Sequence, residues 1–176
     1  MASGPIIVTA LFAPADFAWF DRLRSLHYPK GRTLVPAHLA LFRHLPPSIE
    51  EELDRRLRAE SRAACAPQAR IAGVTQQGQS VAFRLESREL DEIRARIAEA
   101  FAPMLIPQDA APSDLHVTIQ NKVSPTVAAE LGARLAAQLQ PRAIVIPGLA
   151  SWRYLDGPWE AIARYAFSRS GRCRRN

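Results

Sequence analysis

Two histidines head matching four-residue patterns, and their type and spacing suit acid-base chemistry. His38 begins the stretch His-Leu-Ala-Leu, and His116 begins His-Val-Thr-Ile. Imidazoles titrate near neutral pH, so one can take a proton from water while the other protonates a leaving group. This division of roles suits hydrolysis of a bond to an oxygen leaving group, where each proton transfer is worth roughly 10²- to 10⁴-fold in rate.

Both patterns alternate between apolar and other residues, which is typical of strands with one buried face. Residues two apart on a strand share a face. The faces predicted to point away from the core carry His38, Ala40, Phe42, His116, Thr118 and Gln120. On that face the Thr118 hydroxyl is placed to donate a hydrogen bond to an oxygen that gains charge in the transition state.

Aromatic residues near the predicted strands are candidates for stacking a nucleobase. Phe42, Trp152 and Tyr154 each fit either a place beside an unpaired base or a place in the core, and the sequence leaves both open. Trp159 follows a turn and is expected to pack in the core.

Strand and helix patterns alternate along the chain. Strands are predicted near residues 6–12, 38–42, 71–75, 81–85, 115–119, 142–146, 150–155 and 159–168, with helices beginning near 14, 49, 87 and 125. Hairpin signals and the lack of a glycine-rich turn between strand and helix argue against a Rossmann fold. We predict an α+β fold with two pseudo-symmetric lobes, in which mostly antiparallel sheets flanked by helices surround a central cleft.

Composition is that of one globular domain, with 48% hydrophobic and 23% charged residues in 176. The net charge of +6 suits an anionic partner such as RNA. Four of the arginines lie in the last eight residues, so this charge is weak support. We predict a single bilobal domain over residues 1–168 and a basic, disordered tail over residues 169–176.

The two cysteines, Cys65 and Cys173, are far apart and form no CxxC or Cys/His cluster. Their spacing predicts neither a disulfide framework nor a zinc site, and it favours a reducing, cytoplasmic location. The first residues suggest neither a signal peptide nor a membrane-spanning helix. We expect a cytoplasmic monomer with no metal, no cofactor and no membrane partner.

The stretches from Val35 to Phe42 and from Leu115 to Gln120 resemble the paired His-h-(Thr/Ser)-h motifs of the two-histidine (2H) phosphoesterase superfamily, where h is apolar. The resemblance covers most of residues 6–168. Within the superfamily, the chain most resembles the 2′-5′ RNA ligase and 2′,3′-cyclic phosphodiesterase branch. It implies a metal-independent hydrolase whose substrates are RNA ends or nucleotides with a cyclic phosphate. By this resemblance His38 and His116 are the catalytic pair, and we first assign His38 as acid and His116 as base.

Ala40 departs from the family pattern, because alanine stands where a threonine or serine is expected and has no hydrogen to donate. A water molecule or a nearby arginine is a candidate replacement. The substitution keeps a second hypothesis open. In that hypothesis the chain is a nucleotide- or RNA-binding module with the same cleft and weakened chemistry.

Overall fold

The structure is a computed structural model that describes residues 4–32 and 35–168. Its strands are β1 Ile6–Ala10, β2 Leu39–Leu45, β3 Gln68–Gln77, β4 Ser80–Glu86, β5 His116–Gln120, β6 Ala143–Val145, β7 Gly148–Tyr154 and β8 Trp159–Ala166. Its α-helices are α1 Pro14–His27, α2 Glu50–Ala63, α3 Arg88–Ala100, α4 Pro107–Ala110 and α5 Pro125–Gln138. Two 3₁₀ turns cover Pro47–Ile49 and Ala102–Met104.

Two antiparallel four-stranded sheets form the two lobes, in the orders β2-β1-β7-β8 and β5-β4-β3-β6. The two strands that carry the histidine motifs are edge strands of their own sheets, and they contact each other. Helix α1 packs against β5, so it also joins the lobes. The predicted α+β, two-lobed fold is confirmed, with the histidine strands at the seam.

Strand β2 does not keep simple alternation. Val8 pairs with Phe42 but Thr9 pairs with Ala40, and a second register shift lies between Ile6 and Val8. Leu41 and Phe42 are therefore both buried although they are adjacent, while Arg43 is only half-buried. Such β-bulges reverse the faces of the residues that follow them.

The set of buried side chains follows from this register of β1 and β2. The largest fully buried side chains come from both sheets and from α1, α2 and α3, and include Phe20, Leu39, Phe42, Leu53, Ile97 and Ile119. Phe42 is 0% exposed, so of the two places left open for it the structure puts it in the core, away from any substrate.

Two expectations concern the chain outside the cleft. Cys65 is disulfide-bonded, so the prediction that the cysteines form no disulfide was wrong, and they no longer support a reducing compartment. Cys173 and the predicted tail, residues 169–176, lie outside the described residues. Within the described part of the chain, no helix combines the length and apolar character needed to cross a bilayer.

Candidate functional site

The two imidazoles are held by hydrogen bonds of the same kind. His38 Nδ1 lies 2.8 Å from the carbonyl oxygen of Pro36, and His116 Nδ1 lies 3.0 Å from that of Asp114. Each ring is thus anchored to the backbone two residues upstream. Donation from Nδ1 to a carbonyl selects the tautomer in which Nε2 keeps a free lone pair, so Nε2 is the reactive atom of both rings.

Arg43 connects the two motifs. Its Nη2 lies 3.2 Å from His116 Nε2, where the guanidinium donates to the free lone pair. The same side chain lines, with His38 and Ala40, a depression of about 320 Å³. One cationic group therefore contacts His116 and also borders the depression that His38 and Ala40 line.

The two histidines differ in their electrostatic surroundings. Burial lowers the pKa of His38 from 6.5 to about 4, and the positive charges of Arg24 and Arg43 act in the same direction. At His116 a carboxylate is present instead, because Asp114 Oδ2 lies 3.2 Å from Nδ1. Burial therefore keeps His38 neutral at pH 7, whereas an acidic side chain contacts the ring of His116.

Thr118 follows His116 on β5 with the same half-buried character, as residues two apart on a strand should. Its carbonyl oxygen accepts a hydrogen bond of 2.8 Å from Arg24 Nη1. Arg24 comes from α1 and is only 5% exposed, so it ties the first lobe to the second histidine strand beneath the cleft.

An apolar cavity of about 460 Å³ opens beside His38. Its wall includes Thr9, Phe12, Phe17, His38, Trp152 and Trp159. The Trp159 ring centroid lies 4.6 Å from that of His38. Indole rings of this size next to a reactive imidazole are suited to stacking a flat base.

Comparison with known proteins places this geometry in a family. The sequence profile of the 2′-5′ RNA ligase superfamily matches residues 12–158. The chain belongs to the 2′-5′ RNA ligase superfamily. No functionally curated protein matches it at the level of sequence. Membership in this superfamily supports a two-histidine phosphoesterase or RNA ligase-like enzyme activity.

Solved structures of low sequence identity share the fold of this superfamily member. TT0787 of Thermus thermophilus is 14% identical with a TM-score of 0.69, over 95% of this chain and 100% of that one. E. coli LigT complexed with NADP+ is 14% identical with a TM-score of 0.63, over 94% and 99%. E. coli LigT complexed with 3′-AMP is 14% identical with a TM-score of 0.58, over 96% and 100%.

Four of the residues that the sequence singled out line two neighbouring depressions of this superfamily member: His38, Ala40, Trp152 and Tyr154. Trp152 lines the apolar cavity, and Tyr154 lines the smaller depression with His38 and Ala40. Gln120 is an exception, because it is 6% exposed and its Nε2 donates to the carbonyl oxygen of His27 at 3.2 Å.

Sequence reasoning missed two side chains of the cleft, Arg43 and Trp159. Simple alternation put Phe42 on the cleft face, and the bulges of β2 put Arg43 there instead. Trp159 was expected in the core, yet its ring borders His38. The spacing His-x-Ala-x-x-Arg carried a signal for Arg43 only if a bulge was assumed.

A third missed residue, Asp109, fixes the bulge from outside the strand. Its carboxylate oxygens accept from the backbone N–H of Arg43 at 2.9 and 3.0 Å and from that of His44 at 2.9 Å. Asp109 is 1% exposed on the short helix α4. Two consecutive amides that point to one carboxylate hold β2 in its bulged form, and so they set the direction of Arg43.

Proposed function

We propose that this protein is a metal-independent phosphodiesterase that opens 2′,3′-cyclic phosphates on RNA ends or nucleotides. The observation that carries the proposal is the pair of imidazoles that are anchored alike through Nδ1, with Arg43 contacting Nε2 of His116 and lining a depression with His38. The 3′-AMP and phosphate complexes of E. coli LigT, which shares the fold, support a nucleotide or RNA end as ligand.

In the proposed reaction His38 is the base and His116 the acid, which reverses the assignment made from the sequence. His38 Nε2 takes a proton from water, whose oxygen forms the new bond to phosphorus. The bond between phosphorus and one ribose oxygen breaks, and His116 Nε2–H protonates that oxygen. Burial keeps His38 neutral, as a base must be, and the contact of the Asp114 carboxylate with Nδ1 orients the ring of His116.

Arg43 changes partner in this scheme. Without substrate its guanidinium donates to His116 Nε2. A bound phosphate offers two charged oxygens in the geometry that a guanidinium prefers, so Arg43 shifts to it and frees His116 Nε2 to carry a proton. The side chain of Thr118 and the cation of Arg43 then stabilise the charge that develops on the phosphate.

The experiment that tests this function uses a 2′,3′-cyclic mononucleotide and a short RNA that ends in a 2′,3′-cyclic phosphate. The ring-opened product is followed by ³¹P NMR, which also distinguishes a 2′- from a 3′-monophosphate. Turnover of either substrate that is lost in His116→Ala supports the proposal. Binding of the product nucleotide without turnover would favour the alternative, a binding module weakened by Ala40.

On the acidic side of the pH profile, kcat/KM should fall at a pH far below the usual pKa of histidine. A base must be neutral to act, and kcat/KM reports the pKa of the free enzyme. Because burial lowers the pKa of His38 to about 4, kcat/KM should stay high at pH 5 to 6 and fall only as the pH drops through about 4. An acid limb near 6.5, the ordinary histidine pKa, would contradict the assignment of His38 as base.

Turnover should not depend on a divalent cation. Over residues 4–32 and 35–168, no three His, Cys, Asp or Glu side chains come together as ligands for a metal ion. Activity measured after dialysis against EDTA should equal that of untreated protein. Loss of activity with EDTA and its return with a divalent ion would replace acid-base catalysis by metal-ion catalysis.

A further inference from the structure

A hydroxyl group lies directly across from Ala40, the position where this chain lacks the hydroxyl that the superfamily pattern expects. In the pairing of β1 with β2, Thr9 is the partner of Ala40. Residues that pair directly in antiparallel strands point to the same face, with Cβ atoms about 4.5–5.5 Å apart. The donor that Ala40 removes from β2 therefore has a neighbour of the right chemistry on β1.

The Thr9 hydroxyl is buried and only half-satisfied. The residue is 2% exposed, and its Oγ1 accepts a hydrogen bond of 2.9 Å from Trp152 Nε1. An indole N–H only donates, so this contact uses a lone pair of the oxygen and leaves its hydrogen available. Among the residues that the structure describes, that hydrogen has no acceptor. A hydroxyl whose oxygen is engaged in this way and whose hydrogen is free to rotate can donate to a group bound beside it.

The unsatisfied hydrogen belongs to the wall of the cleft. Thr9 lines the cavity of about 460 Å³ that His38, Trp152 and Trp159 also line. The small side chain of Ala40, its cross-strand partner, leaves room above this part of β1. A ligand placed against His38 Nε2 is therefore within reach of the Thr9 hydroxyl.

We propose that Thr9 is a substrate-binding residue whose hydroxyl donates to a non-bridging oxygen of the substrate phosphate. It replaces, from β1, the donor that Ala40 removes from β2. The inference rests on the proposed phosphodiesterase function and deepens it, because Thr9, Thr118 and Arg43 then complete the phosphate contacts. In this view Ala40 does not indicate a loss of activity, because Thr9 supplies the hydroxyl from the neighbouring strand.

The first test removes the hydroxyl and keeps the shape. Thr9→Val is nearly isosteric and suits a strand, and it should lower kcat/KM on a 2′,3′-cyclic mononucleotide by roughly 10- to 150-fold. Thr9→Ser keeps the donor and should stay within about 3-fold of wild type. Thr126→Val makes the same change at an exposed position of α5 and serves as the matched control. Melting temperatures show that each variant is folded.

The second test moves the hydroxyl to the other strand. In the Thr9→Val background, Ala40→Thr should restore at least about a third of wild-type kcat/KM, because it supplies a donor on the same face. In the wild-type background Ala40→Thr should change kcat/KM by less than about 3-fold, since the donor is already present. A gain of roughly 10-fold or more in the wild-type background would show a vacant donor site and overturn the inference, even if Thr9→Val failed to fold.

A third comparison separates direct binding from an effect through Trp152. Trp152→Phe removes the indole N–H and keeps an aromatic ring. If Thr9 contacts substrate, Thr9→Val still lowers kcat/KM by about 5-fold or more in the Trp152→Phe background. If Thr9 only holds Trp152, the second substitution adds no loss and the inference fails.

Failure of the inference differs from failure of the proposed function. Wild type that opens the cyclic phosphate, together with Thr9→Val at the wild-type rate, overturns the inference alone. Wild type that neither opens a cyclic phosphate nor binds 3′-AMP in calorimetry overturns the proposed function and the inference with it.

Discussion

Replacing His116 by alanine is expected to lower kcat on a cyclic phosphate by roughly 10²- to 10⁴-fold and to leave the fold intact. The imidazole stands at the start of an edge strand, contacts Arg43 through Nε2, and its side chain is 26% exposed. Its removal therefore opens no core cavity, while the leaving oxygen loses its proton donor. Steady-state kinetics and thermal unfolding of the purified variant measure both parts of the prediction.

The same loss of kcat is expected for His38→Ala, since the attacking water then has no base. This variant should also lose the acid limb near pH 4 that burial of His38 sets in the wild type. His27→Ala is the matched control, because His27 lies at the end of α1 and lines none of the cavities beside the catalytic pair. A variant at position 38 or 116 that turns over at the wild-type rate would remove that histidine from the mechanism.

The histidine strands could be predicted because their pattern is local. Alternation of apolar and polar residues identifies a strand and its two faces within five to seven residues. This reasoning placed His38, His116 and Thr118 correctly relative to their strands. It also indicated two similar lobes, which the two four-stranded sheets confirm.

Arg43 could not be predicted in this way, because its direction depends on a residue far along the chain. Asp109 binds two successive amides of β2 and stabilises the bulge that buries Phe42 and turns Arg43 towards His116. In the sequence the carboxylate at position 109 is like any other acidic residue, and no local pattern connects it with β2. Contacts between such distant segments appear only in the folded chain.

The role of Thr9 was hidden for a related reason. The sequence shows a threonine in an apolar strand, where the residue is common. Its meaning depends on the pairing of β1 with β2, which puts it opposite Ala40, and on Trp152, which orients its oxygen. Strand order and register are therefore the information that the motif alone lacked.

Asp109→Ala is expected to lower the free energy of unfolding by at least about 1–3 kcal/mol, the usual cost of leaving a buried hydrogen-bonding group without its partner. The carboxylate is 1% exposed and accepts from the amides of Arg43 and His44. Arg94 is also buried nearby, donating to the carbonyl oxygens of Asp109 and Leu41. Without the carboxylate the two amides lose their acceptor and the Arg94 cation loses a neighbouring negative charge. Denaturant unfolding measures the change, with Glu99→Gln on the exposed face of α3 as the control.

The milder variant Asp109→Asn tests whether this stability also serves catalysis. An amide keeps one acceptor oxygen, so the protein should remain folded, but the bulge and Arg43 lose their fixed position. We expect kcat/KM to fall by roughly 10-fold, and we expect no further fall when Asp109→Asn is added to Arg43→Met. The loss of stability should persist in that double variant, because it arises from the amides and Arg94. Equal losses of kcat/KM with and without Arg43 would show that Asp109 acts on the cleft by another route.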